Sequence, residues 1–253
     1  MTTIDVKGKT ILLTGASDGI GRAVADYLME MGGKLAVHYN SNKSAAEALV
    51  AKHKNGSKTF QADLSNESEV FRLFESVVTY FGKLDVIILN AGVFLQHPIA
   101  MDTDEWLKIW KKTMAVNLDS VGVLTKLGLD HFIAQGGGRF IYIGSRAVFR
   151  GETQEYLAYA ASKGGITSLA RSVARSFGKQ NIKAFVVAPG FTRTQMAEKF
   201  IKTYGEEKVL NEIALNTLTK PEDLSPLIAL LSSGGMDHAT GTTIDMNAGS
   251  HIR

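Results

Sequence analysis

A parallel sheet covered by helices on both faces, a doubly wound α/β fold in a single domain, is what this sequence asks for. Short β-branched runs alternate with helical stretches from end to end, the pattern of strands joined by crossover helices. A glycine-rich turn, Gly15 to Gly21, joins the first strand to the first helix. No Ser/Gly/Pro linker, charge block or internal repeat divides the 253 residues, and a chain of that length buries a sizeable core.

Strands are expected at Thr10–Thr14, Lys34–Tyr39, Thr59–Asp63, Val86–Asn90, Arg139–Ile143, Lys183–Val187 and Thr242–Met246. Between them, apolar residues at helical spacing predict helices near Ile20–Met31, Ser44–Lys54, Glu67–Phe81, Thr103–Ala134, Leu157–Phe177 and Pro221–Leu231. Ser65 ahead of Ser68 and Glu69, and Asp102–Thr103 ahead of Trp106, suit helix N-termini. Pro221 with Glu222 and Asp223 suits a first turn, where the missing N–H costs nothing and acids favour the dipole. Residues 191–219 fit no strand–helix unit. They are expected to form a lid over the carboxyl ends of the strands, or else a helical pair that only covers the sheet.

Composition excludes several classes. The absence of cysteine removes disulfides, thiolate chemistry and Cys-ligated zinc. A formal charge of +3, spread evenly, gives no reason to expect nucleic acid or an anionic membrane as partner. Without an apolar leader or an apolar run of about 18 residues, the chain is expected to be soluble and cytoplasmic, with no metal.

The loop Thr14-Gly15-Ala16-Ser17-Asp18-Gly19-Ile20-Gly21 puts free backbone N–H groups and a helix N-terminus at a strand end, an anion site. Glycines there let the backbone approach a pyrophosphate. Where an acid would bind a ribose 2′-hydroxyl, the second strand instead ends in Tyr39-Asn40-Ser41-Asn42-Lys43. Asn40, Ser41 and Lys43 suit a 2′-phosphate, so NADP(H) is favoured over NAD(H), although Asp18 would repel a phosphate if it faced one. Asp63 is a candidate for the adenine amino group, or for a helix cap.

Tyr159 and Lys163 stand at i and i+4, one turn apart on a helix face. A phenol near pH 10 needs an adjacent cation to exchange protons near neutrality, and Lys163 supplies one. Ser145 ends a strand, where ligands of open α/β sheets bind, and suits a carbonyl oxygen. Tyr156 has Ala160 four residues on, and therefore no lysine partner. It is expected to line a substrate pocket instead.

With these landmarks the chain resembles the short-chain dehydrogenase/reductase family in its roughly 250-residue branch. The matching residues are Thr14–Gly21, Asp63, Asn90-Ala91-Gly92, Asn117, Ser145, Tyr159, Lys163, Pro189-Gly190, Thr192, Thr194 and Thr240-Gly241, in order along the chain. The resemblance implies a Rossmann-like seven-stranded sheet in the order 3-2-1-4-5-6-7 and a homotetramer packed through helices in Thr103–Ala134 and Leu157–Phe177. It implies hydride transfer between the nicotinamide cofactor and a small-molecule ketone or secondary alcohol. Tyr159 would be the acid or base, and Lys163 would lower its pKa. Ser145 would polarise the carbonyl. The Asn117 side chain would hold a relay water, or satisfy backbone groups at a helix distortion, and both can hold at once. Cofactor contacts are implied for Gly15, Ser17, Asp18, Gly19, Ile20 and Gly21. Others are implied for Tyr39, Asn40, Ser41, Asp63, Leu64, Asn90, Ala91 and Gly92, and for Tyr159, Lys163, Pro189, Gly190, Thr192 and Thr194. Two departures stand out: Ser145 lies fourteen residues before Tyr159, one more than is commonest, so Arg146 takes the usual position, and Asp18 is atypical in the loop.

The substrate wall is expected from Phe94 to His97, Arg146 to Arg150, Tyr156 and the lid, with His97 more a surface residue than a pocket donor. Arg146, Arg150 and Arg193 are potential anion partners. The general likeness is to 3-oxoacyl-[acyl-carrier-protein] reductases and sugar or polyol dehydrogenases. Gln135 and Gln180, expected where bases would receive an acyl carrier, argue mildly against that partner. A nucleotide-sensing regulator without turnover is the alternative outside catalysis.

Overall fold

In the computed structural model, which describes residues 4–194, 197–198, 201–202 and 205–252, seven strands form one parallel sheet. They are β1 (Thr10–Leu13), β2 (Lys34–Tyr39), β3 (Lys58–Gln61), β4 (Val86–Leu89), β5 (Gly138–Ile143), β6 (Ile182–Pro189) and β7 (Thr243–Met246). Their order is β3-β2-β1-β4-β5-β6-β7. The helices are α1 (Gly19–Glu30), α2 (Lys43–His53), α3 (Glu67–Phe81), α4 (Thr103–Met114), α5 (Ser120–Gln135), α6 (Ala147–Arg150), α7 (Leu157–Phe177), α8 (Glu206–Leu210) and α9 (Pro221–Ser233).

Alternate residues of the central strands feed opposite layers. Leu12 and Ile87 enter one core with Leu73, Phe132 and Phe140. Ile11, Leu13 and Ile88 enter the other with Leu28, Leu224 and Ile228. Every residue of β1 and β4 is buried, which is why these strands read as continuous apolar runs rather than alternating ones.

Expected and observed elements agree closely, with instructive exceptions. The long stretch expected as one helix is α4 and α5 separated by a π-turn at Ala115–Asp119. Across it the Ser120 N–H reaches back to the Ala115 carbonyl, while the Ser120 hydroxyl donates to Val116 O at 2.7 Å. The extra residue in that turn is a common device for re-aiming side chains at functional sites. The cap of α3 is Asn66, accepting from Ser68 N, and not Ser65. Asp102 caps α4 as expected, accepting from Asp104 N and Glu105 N. Lys220 N donates to Asp223 at 2.7 Å ahead of Pro221.

Among the described residues no helix is long and apolar enough to cross a membrane. Residues 195, 196, 199, 200, 203 and 204 of the expected lid lie outside the described residues.

Phe132 is fully buried, with its ring 4.9 Å from that of Phe140. Phe132→Ala leaves a cavity between α5 and the sheet and is expected to cost about 3–5 kcal/mol, read as a lowered denaturant midpoint.

Candidate active site

The carboxyl ends of the strands open into a cleft of about 570 Å³. At its floor the glycine loop meets the turn after β4. A methyl group on Gly21 would stand 2.0 Å from the Gly15 carbonyl, and one on Gly15 would stand 2.9 Å from Ala91 Cα. Asn90 holds the approach, its Nδ2 donating to Thr14 O (2.9 Å) and Gly15 O (3.1 Å). Thr14 Oγ1 accepts from Asn90 N and Ala91 N. Backbone this close to the cleft, at the N-terminus of α1, is a cradle for a pyrophosphate, and so the residues present fit a dinucleotide.

Most of the expected cofactor residues line this cleft. Gly15, Ser17, Asp18, Gly19, Ile20 and Gly21 do so on the loop, and Asn40 and Ser41 after β2. Asp63, Leu64, Asn90, Ala91 and Gly92 follow, then Pro189, Gly190, Thr192 and Thr194. Tyr39 is a correction. It is 8% exposed and packed into the core with Ala46 and Leu49, because strand alternation turns it away and presents His38 and Asn40 to the cleft. Asp18 turns back on its own helix, accepting from Gly19 N at 2.7 Å. Asp63 accepts from Ser65 N and Ser65 Oγ. These bonds, its backbone one first, hold its carboxyl below the usual range.

Ser145, Tyr159 and Lys163 converge on the same cleft. Burial, the largest effect, pushes the Tyr159 phenol up to about 12, while a hydrogen bond with Ser145 and the charge of Arg146 pull the other way. Lys163 is 5% exposed and donates to Ile143 O at 2.7 Å, its Nζ 5.7 Å from the centre of the Tyr159 ring. Burial brings it down to about 8. Desolvation is thus the largest influence on the phenol, reinforced by the charge of Glu152 and opposed by Ser145 and Arg146.

Asn117 stands behind the cleft, 1% exposed on the π-turn. Its Oδ1 accepts from Val93 N at 2.8 Å, and its Nδ2 donates to Val93 O (3.0 Å) and Ser162 Oγ (3.2 Å). The side chain thereby clamps the β4 turn onto α7.

The aromatic wall is narrower than expected. Phe94 and Tyr156 stack at 3.7 Å and line the cleft, with Tyr159 edge-on to Phe94. Leu95, Gln96 and residues 147–149 do not line it. His97 is neither a surface residue nor a pocket donor. It is fully buried against Trp106, its Nδ1–H donating to Leu95 O and its Nε2 accepting from Ala158 N, so it caps the first turn of α7 beside Tyr159. Arg193 is tied to Glu198 and Glu206 outside this cleft. Gln135 donates to Leu84 O and Gly137 O, and Gln180 closes the turn before β6. Both lie at the amino ends of the strands, at the end of the sheet opposite the cleft.

Sequence reasoning missed His38. It is 2% exposed, accepts from Gly15 N at Nδ1 (3.0 Å) and donates from Nε2 to Ala62 O (3.0 Å). It joins the glycine loop to the turn after β3. A lone histidine in an apolar strand beside a glycine loop was the available signal.

Comparison with known proteins points the same way. The short chain dehydrogenase family matches residues 9–205. A 3-oxoacyl-[acyl-carrier-protein] reductase of Haemophilus influenzae is 30% identical over 250 residues, covering 98% of this chain and 100% of that protein. One of the same description from Staphylococcus aureus is 31% identical over 247 residues, covering 96% and 98%. Among solved structures, the NADPH-dependent 3-quinuclidinone reductase of Rhodotorula rubra superposes with a TM-score of 0.89 at 28% identity, covering 99% of this chain and 94% of that one.

The bond from Gly15 N requires an unprotonated Nδ1, and burial lowers the His38 pKa from 6.5 to about 4. Between those values the unfolded chain binds a proton that the folded chain refuses, so stability falls as pH drops from 6.5 towards 4, by up to about 3 kcal/mol. Denaturant midpoints at pH 7 and pH 4.5 should differ less in His38→Asn than in the parent protein. An equal pH dependence would refute the assignment.

Proposed function

The chain belongs to the short-chain dehydrogenase/reductase family and is an NAD(P)-dependent enzyme, and on that premise we propose that it reduces a small-molecule ketone, or oxidises the matching secondary alcohol, with NADP(H). The observation that carries this reading is the meeting of Ser145, Tyr159 and Lys163 in one cleft with the glycine loop.

When bound, the cofactor supplies or accepts the hydride. The glycine loop and the N-terminus of α1 would hold its pyrophosphate, Asp63 and Leu64 its adenine, and Thr192 and Thr194 its nicotinamide end. Preference for the 2′-phosphate is supported by the cleft-lining Asn40 and Ser41, by the lack of an acid at the end of β2, and by the NADPH dependence of the Rhodotorula rubra relative.

At neutral pH a phenol near 12 keeps its proton, so Tyr159 is set to donate it to a carbonyl oxygen as that oxygen gains charge. Ser145, bonded to Tyr159 and accepting from Ala147 N at 3.1 Å, would orient the same oxygen. Lys163 holds a positive charge beneath the phenol, anchored by the Ile143 carbonyl. Asn117 and His97 act through other groups: one clamps the β4 turn, the other the start of α7. Residues 191–219 would act as a lid, an assignment supported by Phe191, Val209 and Glu212 in the lining. Assembly as a homotetramer would cover Leu107 and Ile133, exposed on α4 and α5.

A second reading, reduction of a 3-oxoacyl thioester on an acyl carrier, is supported by the two bacterial relatives of that description. A cofactor sensor without turnover would have no use for the intact Ser145, Tyr159 and Lys163 set.

Tyr159→Phe is expected to lower carbonyl-dependent NADPH oxidation by about 10³-fold or more with nucleotide binding kept, followed at the reduced nicotinamide band. Retention of activity would remove the tyrosine from the chemistry. In the parent enzyme kcat/KM should favour NADPH over NADH by about tenfold or more, and a preference for NADH would overturn the reading of Asn40 and Ser41.

A further inference from the structure

Next to the reacting groups lies a charged side chain that the proposed chemistry does not use. Arg146 follows Ser145 directly and lines the cleft, yet it is only 8% exposed. Its backbone is fixed by Arg146 N donating to Pro189 O at 3.0 Å, and by its carbonyl accepting from Phe149 N and Arg150 N. Nη2 reaches Glu212 Oε2 at 3.3 Å, an oxygen that Arg150 also takes at 3.0 Å. Nη1 is buried and has no hydrogen-bond partner among the described residues. A buried charged donor without a partner costs about 1–3 kcal/mol or more, so its retention in a binding cleft points to a ligand atom.

The chemistry of that atom follows from the donor. A guanidinium presents parallel N–H groups in a planar fork that matches a carboxylate. The charged groups felt at it are Arg150, Glu212 and Glu152, and Lys208 lines the same cleft. Glu152 is pushed up by burial, the response of a carboxylate crowded into a dry site. Glu212, one residue past the Asn211 cap of α8, already places one carboxylate oxygen on this guanidinium, an internal example of what the fork accepts. The nearby wall, Phe94 stacked on Tyr156 with Val209, is apolar. The charges of both Glu152 and Arg146 are felt at the Tyr159 phenol, so the guanidinium lies near the reacting oxygen.

We propose that Arg146 is a specificity residue that binds the carboxylate of an oxo acid, in which the reacting carbonyl is bonded directly to the carboxylate carbon or stands one carbon away from it, and the remainder is apolar. This rests on the carbonyl reductase reading of the same cleft and names the substrate class within it. A thioester or ester carries no charge for the fork, so the acyl-carrier reading makes the opposite demand.

Two measurements separate the failure of each reading. The first is NADPH-dependent reduction of 2-oxo and 3-oxo acids with short alkyl or phenyl groups, set against their methyl esters and an acetoacetyl thioester. The acids should exceed their esters in kcat/KM by about 10- to 100-fold, the size of a charge-assisted contact. Arg146→Met should erase that gap by lowering kcat/KM for the acids at least about tenfold more than for the esters. Esters or thioester reduced as well as the acids, or a gap that survives the substitution, would overturn the proposal. The second needs no turnover: calorimetric titration of the protein with benzoate and with benzamide. Benzoate should bind at least about tenfold more tightly, with the difference lost in Arg146→Met and reduced in Arg146→Lys, which keeps the charge without the fork. Equal binding of the two, or no binding of benzoate, would also overturn it. Failure of every carbonyl in the first measurement, with benzoate discrimination intact in the second, would remove the reductase reading and leave the carboxylate site standing.

Discussion

The architecture depends on one close approach, the N-terminus of α1 against the end of β1. No side chain fits at Gly21, where even a methyl group would overlap the Gly15 carbonyl. That contact lets the helix begin directly under the loop, and Asn90 with Thr14 stitches the same point to the end of β4. The cleft exists because these backbones meet without side chains between them. Its nucleotide half is an arrangement of main-chain donors and a helix end, and it tolerates little change in the residues beneath it.

The catalytic half has a different physical basis. It is a set of polar groups held in a dry environment, where burial rather than pairwise charge dominates the proton affinities. Desolvation raises Tyr159 and lowers Lys163, pushing each towards its neutral form. The supports that hold this arrangement are themselves buried and hydrogen-bonded. Asn117 spends both ends of its amide on Val93 and Ser162, and His97 receives the Ala158 N–H one residue before Tyr159. Geometry is thereby locked from two sides, and a shift in the turn after β4 reaches the phenol through both clamps.

Much of this was legible in the chain. The seven strands and most helices follow from apolar runs and their period, with ends that differ by a residue or two because caps are decided by side-chain reach. Asn66 rather than Ser65 caps α3 for that reason. The break at Ala115–Asp119 was legible only as a helix distortion that a polar residue at Asn117 would suit, since helical periodicity runs through it. Tyr39 shows the limit of reading strand ends: proximity in sequence suggested the cleft, but the pleat directs it into the core. Gln135 and Gln180 lie at the amino ends of the strands, away from the cleft, because each stands where a helix has run back to the start of the next strand.

Sequence alone determined the doubly wound architecture, the glycine loop and which side chains to look for in the cleft, because each is a local pattern of spacing and residue type. Only the tertiary structure decided what those side chains experience. Whether Lys163 or burial governs Tyr159, whether Asn117 faces water or backbone, and whether His97 and Arg146 are solvated or enclosed all depend on residues distant in the chain. Desolvation and hydrogen-bond partnership are properties of the packed neighbourhood, and no local pattern encodes them.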